Sequence, residues 1–140
     1  MAANLVNPAQ RMLGGEVPIG PLAFGCWRFT GSSDAENARL VSAALDAGMN
    51  LVDTADVYGL DWGGTGFGTC EEALGRVLAA DPSLRARMVL ATKGGIIPGV
   101  PYDSSAAYIV SACEASMRRM GVDHIELYQI HRHDFFTHPH

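Results

Sequence analysis

Three apolar runs each end on a polar side chain, at nearly equal intervals: Leu51-Val52-Asp53, residues 88–93 ending on Lys93, and residues 125–131 ending on His131. The intervals between those polar groups are 40 and 38 residues. A fourth run, Pro21-Leu22-Ala23-Phe24-Gly25, precedes them. A helix-period segment fills each gap: Leu40, Val41, Ala44 and Leu45; then Ala73, Leu74, Val77 and Leu78; then Ile109, Ala112, Cys113, Ser116, Met117 and Met120. Ser33 with Glu36 and Thr69 with Glu72 make capping-box pairs, Ser104 or Ser105 caps the third segment, and Gly48 and Gly121 close the first and third. Strands and helices alternating at this length predict a parallel sheet with right-handed crossovers. Alternate strand residues share a face. Leu51 therefore groups with Asp53, Val89 and Ala91 with Lys93, and Leu127 and Gln129 with His131. Each polar group is the last on its face, at the C-terminal edge of the sheet, where barrels and doubly wound sheets hold their sites.

Residues 1–10 show no pattern and are expected to be an unstructured lead-in, and residues 11–20 a turn-bearing approach. The rest, 11–140, reads as one folded unit. Its 48% hydrophobic content suffices for a core. A net charge of −5 without a Lys/Arg cluster excludes nucleic acid as the expected partner. No apolar stretch reaches the ~20 residues of a membrane helix, so no membrane partner is expected. Cys26, Cys70 and Cys113 are odd in number and scattered. With no basic and apolar leader ahead of them, they predict free thiols in a cytoplasmic protein.

Asp53, Tyr58, Lys93 and His131 together suit acid–base chemistry. A free phenol releases its proton only near pH 10, and a neighbouring ammonium makes that release easier. Lys93 can supply the charge, and Asp53 can hold the ammonium by a charge-assisted hydrogen bond. His131 can orient a substrate oxygen or assist the proton transfer. The set suits protonation of a carbonyl oxygen while a nucleophile such as hydride reaches its carbon.

These residues lie in motifs that resemble the N-terminal half of the aldo-keto reductases: Gly25-Cys26-Trp27, Asp53-Thr54-Ala55-Asp56-Val57-Tyr58-Gly59, Glu71-Glu72-Ala73-Leu74-Gly75, Ala91-Thr92-Lys93 and Ile130-His131. The resemblance runs from about Arg11 to the end of the chain. It implies a TIM-type (β/α)₈ barrel that reduces aldehydes or ketones with a nicotinamide cofactor, mostly NADPH, with NAD as the other candidate. It also implies a catalytic tetrad of Asp53, Tyr58, Lys93 and His131, with Tyr58 as proton donor. Gly25, Cys26, Trp27 and Asp53 would contact the cofactor, and Trp27, Tyr58 and His131 would line the substrate pocket. A barrel of this kind needs about 250 residues, so 140 supplies roughly four of eight β/α units, truncated after the fourth strand. Most cofactor contacts of the family come from later strands. The chain is expected to be a fragment, a truncated reading frame, or a half-barrel that self-associates or meets a missing C-terminal half.

Plainer readings stand beside each residue. Asp53 can be a turn cap, Tyr58 a half-buried aromatic, Lys93 a solvated loop lysine and His131 a satisfied core histidine; only their joint placement favours function. The Cys26 thiol has no neighbouring base and reads as packing. Trp27 is favoured over Trp62 as a pocket wall. His131-Arg132-His133 and His138-Pro139-His140 are H-x-H pairs, but a barrel hydrolase needs further ligands on later strands, so no metal is predicted. Lys93 as the Schiff-base lysine of a barrel lyase, and a non-catalytic half-barrel that only associates, are the rival functions.

Overall fold

The computed structural model describes residues 7, 9–61, 63–100 and 102–137. Trp62, the last three residues and most of the lead-in therefore lie outside the described residues. Four parallel strands, β3 (Ala23–Gly25), β4 (Leu51–Asp53), β5 (Val89–Gly94) and β6 (Leu127–Ile130), lie side by side in chain order. Helices α1 (Asp34–Asp46), α2 (Thr69–Ala80) and α3 (Ala106–Met120) make the crossovers.

The first helix begins and ends as its sequence predicts. Ser33 Oγ accepts from the Glu36 amide. Only half of the capping box forms, because the Glu36 carboxylate turns to Arg39 instead. At the other end Gly48, at φ 82, donates to Leu45 while Met49 donates to Ala44. That is a Schellman ending, which a left-handed glycine permits. Ser105, not Ser104, caps α3 by accepting from the Tyr108 amide. The α2 expectation fails at its start. The N-cap is Gly68, at φ 88, and Thr69 is already helical, its hydroxyl donating back to the Gly66 carbonyl.

Other differences are of extent. Strand β3 begins at Ala23 and β6 at Leu127, later than the apolar runs suggest, whereas β5 runs on through Lys93 to Gly94. A 3₁₀ turn, Pro82–Arg87, follows α2, held at its start by Asp81 accepting from the Ser83 amide. Residues 11–20 are not merely an approach. Strands β1 (Arg11–Leu13) and β2 (Val17–Ile19) form an antiparallel hairpin turned by Gly14 and Gly15, both at positive φ. Such a turn suits two consecutive glycines. Asn50 pins the hairpin under β4, accepting from the Gly20 amide and donating to the Pro18 carbonyl.

The core lies between the sheet and the helices. Val52 and Leu90 from the strands meet Val41 of α1, Leu74 and Val77 of α2, and Met120 of α3, all essentially inaccessible to water. At about 25 cal/mol per Å² of apolar surface, burying such side chains is the main stabilising term. The opposite sheet face carries Leu51, Asp53, Lys93, Leu127 and Gln129. The parity expected from the sequence is thereby realised.

Candidate active site

Three backbone bonds bring the strand ends together. Beyond Asp53 the chain keeps pairing with β5: Thr54 N–H donates to Ala91 and Asp56 N–H to Lys93. The Cys26 amide donates to Asp53 on the other side. The end of β4 is thus gripped on both flanks, and the Asp53 side chain has little freedom.

Lys93 Nζ lies 2.6 Å from Asp53 Oδ2 and 2.6 Å from the Thr54 carbonyl, donating to both. Its side chain is only 14% exposed. A buried ammonium needs such partners to remain charged. The same Nζ stands 4.9 Å from the centre of the Tyr58 ring, a distance at which a cation interacts with an aromatic face. His131 meets Tyr58 edge-on at 5.5 Å between ring centres. Burial and the neighbouring Lys93 and Arg132 charges hold its imidazole below the usual histidine range, against the pull of Asp53. His131 is therefore neutral at neutral pH. Trp27 also lies against Tyr58, tilted, at 5.9 Å between ring centres.

These rings line a cleft of about 470 Å³ at the C-terminal edge of the sheet, closed by loop 96–99, Tyr102 and Arg132. Asp53, Tyr58, Lys93, His131 and Trp27 are thus brought together. Gly25 lies beside Asp53 in the β3–β4 register, with open space where a side chain would stand. Cys26 does not join them. Its side chain is fully buried against the core, and burial pushes the thiol far up from its ordinary value.

Gln129 was not singled out from the sequence as a site residue. Its amide donates to Asp53 Oδ1 at 3.3 Å, so each Asp53 oxygen accepts a hydrogen bond. The signal was present, since parity puts Gln129 on the same face as His131. Tyr102 and Arg132 come from loops, where periodicity says nothing.

A parallel β/α sheet with Asp, Lys, Tyr and His side chains gathered at its C-terminal edge places this chain in the β/α-barrel class. The profile of the Aldo/keto reductase family matches residues 21–139. A 6-dehydroglucose reductase from Novosphingobium aromaticivorans is 54% identical over 135 residues, covering 94% of this chain and 44% of the relative. A second protein of that name, from Agrobacterium fabrum, is 34% identical over 134 residues, covering 87% of this chain and 43% of the relative. Among solved structures, the holo form of aldo-keto reductase AKR11C1 from Bacillus halodurans superposes with a TM-score of 0.69 at 32% identity, over 89% of this chain and 40% of that one. This chain belongs to the aldo/keto reductase family of oxidoreductases. It spans less than half the length of those relatives, and its sheet corresponds to about half of their TIM barrel. The family generally uses NAD(P)H. No helix among the described residues is long and apolar enough to cross a membrane.

Proposed function

We propose that this chain carries the acid–base half of an NADPH-dependent carbonyl reductase, with 6-dehydroglucose as the first substrate to test. The name shared by two relatives supports that choice of substrate. The observation that carries the reaction class is the Lys93 ammonium, bonded at 2.6 Å to Asp53 and facing the Tyr58 ring. NADPH, when bound, supplies the hydride. Tyr58 donates the proton to the carbonyl oxygen. Lys93 stabilises the negative charge left on the phenol oxygen, and Asp53, itself held by Gln129, keeps Lys93 in place. His131, being neutral, positions the oxygen by a hydrogen bond without adding a competing charge.

The residues fit a flat cofactor ring. Gly25 leaves open space at the strand end, and Trp27, 44% exposed, presents an aromatic surface beside Tyr58. Gly25, the Cys26 backbone, Trp27 and Asp53 would hold the nicotinamide end. The remaining contacts would come from the other half of a barrel, provided by a longer polypeptide or by association. This reading keeps residues 11–140 as a partial barrel acting in the cytoplasm on a small carbonyl compound.

The Schiff-base alternative meets a specific obstacle. An amine attacks a carbonyl only when unprotonated, whereas Lys93 donates two short hydrogen bonds, one of them to a carboxylate. Borohydride should therefore trap no substrate on Lys93. The deciding experiment uses the active barrel, with NADPH oxidation as the readout. Tyr58→Phe should lower turnover by more than ~100-fold, the scale of a lost general acid, while NADPH affinity measured by fluorescence stays nearly unchanged. Normal turnover by that variant would sink the assignment.

A further inference from the structure

Behind the tetrad, on the helix side of β5, lies a second pair of proton-bearing side chains. Asp56 is fully buried; no side chain among the described residues donates to its carboxylate, and the neighbouring Val57 amide stands outside good hydrogen-bonding geometry. The buried Tyr128 hydroxyl likewise has no partner among them. Both close over Gly94. A Cβ at that position would stand 2.1 Å from the Tyr128 oxygen and 3.1 Å from Asp56 Oδ2. A donor and an acceptor, both shut off from water and converging on one point, complete each other.

The backbone explains why Asp56 is there. Its N–H donates to the Lys93 carbonyl and its C=O accepts from the Gly68 amide at 2.6 Å. This clamps the β4–α2 loop to the end of β5 and turns the side chain toward the helices. Tyr58 stands two residues further along, its carbonyl accepting from the Cys70 amide. Lys93 and Gly94 are adjacent, so β5 has the tetrad on one face and this pair on the other.

We propose that Asp56 and Tyr128 form a buried hydrogen-bonded pair, direct or through one water, and that Asp56 is thereby a positioning residue for Tyr58. The latch is sensitive to pH. Glu71 of α2, Arg119 of α3 and Lys93 of β5 are the charged groups facing Asp56. Burial and the Glu71 charge raise its carboxyl to about 7, against Arg119, the Val57 amide and Lys93. Arg119 is already engaged by Glu71 at 2.6 Å. Tyr128 is faced by Asp56, Glu71, and Cys113 and Tyr108 of α3; burial and these neighbours push its phenol up beyond the ordinary range. It therefore remains a donor while Asp56 titrates. Ionised Asp56 beside Glu71 repels it, and the loop clamp loosens.

The test follows the four tyrosines of the 140-residue chain by ¹³Cζ NMR between about pH 5.5 and pH 8.5, assigned with Tyr→Phe variants. The Tyr128 signal should move with a midpoint near 7 without ionising, and Asp56→Asn should abolish the movement. A Tyr128 signal that stays flat, or that still moves in Asp56→Asn, overturns the pair. Hydrogen exchange of the Cys70 amide, taken relative to Leu90 after correction for intrinsic rates, reads the positioning. Its relative protection should fall by roughly tenfold from about pH 6 to pH 8 in the unaltered chain. It should not change with pH in Asp56→Asn. A pH-independent ratio in the unaltered chain overturns the positioning role. Neither measurement uses cofactor or substrate, so its outcome is separate from that of the reductase reading, on which only the catalytic meaning of Tyr58 rests.

Discussion

A methyl group at position 94 has no room to stand, because the Tyr128 oxygen would lie 2.1 Å away. Its backbone is ordinary strand, so the constraint is space alone. Gly94→Ala should cost about 1–3 kcal/mol, the usual scale of overpacking. Tyr128→Phe in the same chain should recover part of that by removing the crowded oxygen. Urea unfolding of the single and double variants checks this; an equally destabilised double variant would show that the clash lies elsewhere. The residues of the candidate site were largely legible at this scale. Strand parity alone groups Asp53, Lys93 and Gln129, and the structure links all three by hydrogen bonds. Asp56 was not legible as a buried group. Its burial depends on Gly68 and Gly94, which lie 12 and 38 residues away in the sequence. The Cys26 side chain lies in the core, as its reading as a packing thiol expects.

Elements α2, α3 and β5 are joined by one buried carboxylate. Glu71 accepts from Thr92 Oγ1 and from Arg119 Nε, both at 2.6 Å. Arg119 also donates to Ser116. Glu71→Gln removes one charge of that pair and should cost about 2–4 kcal/mol, toward the lower end because Arg119 keeps a fifth of its side chain in water. Denaturant midpoints would read the loss. Arg39→Ala, which breaks only the exposed Glu36 pair of α1, should leave the midpoint nearly unchanged; a loss as large as that of Glu71→Gln would contradict the burial argument. Helix positions were legible because the apolar period is long and the caps of α1 and α3 use common side chains. The start of α2 was not. A left-handed glycine cap leaves no side-chain signature, and Thr69 with Glu72 imitates the ordinary pattern. The hairpin was missed for a related reason: its strands have three residues each, too few to show alternation.

At the scale of the whole molecule, stability should depend on pH through one buried and one half-buried group of opposite sign. The Asp56 carboxyl is raised in the folded state to about 7, so the folded chain holds a proton that the unfolded chain releases. Its contribution is fully present below the unfolded carboxylate value near 4 and is lost as pH rises through about 7. His131 is lowered, so its contribution is lost as pH falls below the ordinary histidine range. From about pH 5 to pH 8 the midpoint of the unaltered chain should therefore fall more than that of Asp56→Asn, measured in urea. Parallel curves would contradict a buried, titrating Asp56. The sheet class was legible from the repeat of strand and helix. The pocket walls were not, since loop 96–99, Tyr102 and Arg132 come from segments without a period.

The order of the strands in space, β3-β4-β5-β6, is also their order along the chain. Each strand pairs with the one made just before it, after a single crossover. A polypeptide leaving the ribosome can therefore assemble this sheet as it is synthesised, with the edge exposed at each stage being the one the next strand will join. The same arrangement means that the proposed tetrad is complete only when His131, which follows β6, has emerged. Asp53 and Lys93 can find each other first, so the ion pair is built before the histidine and the cleft wall that Arg132 supplies.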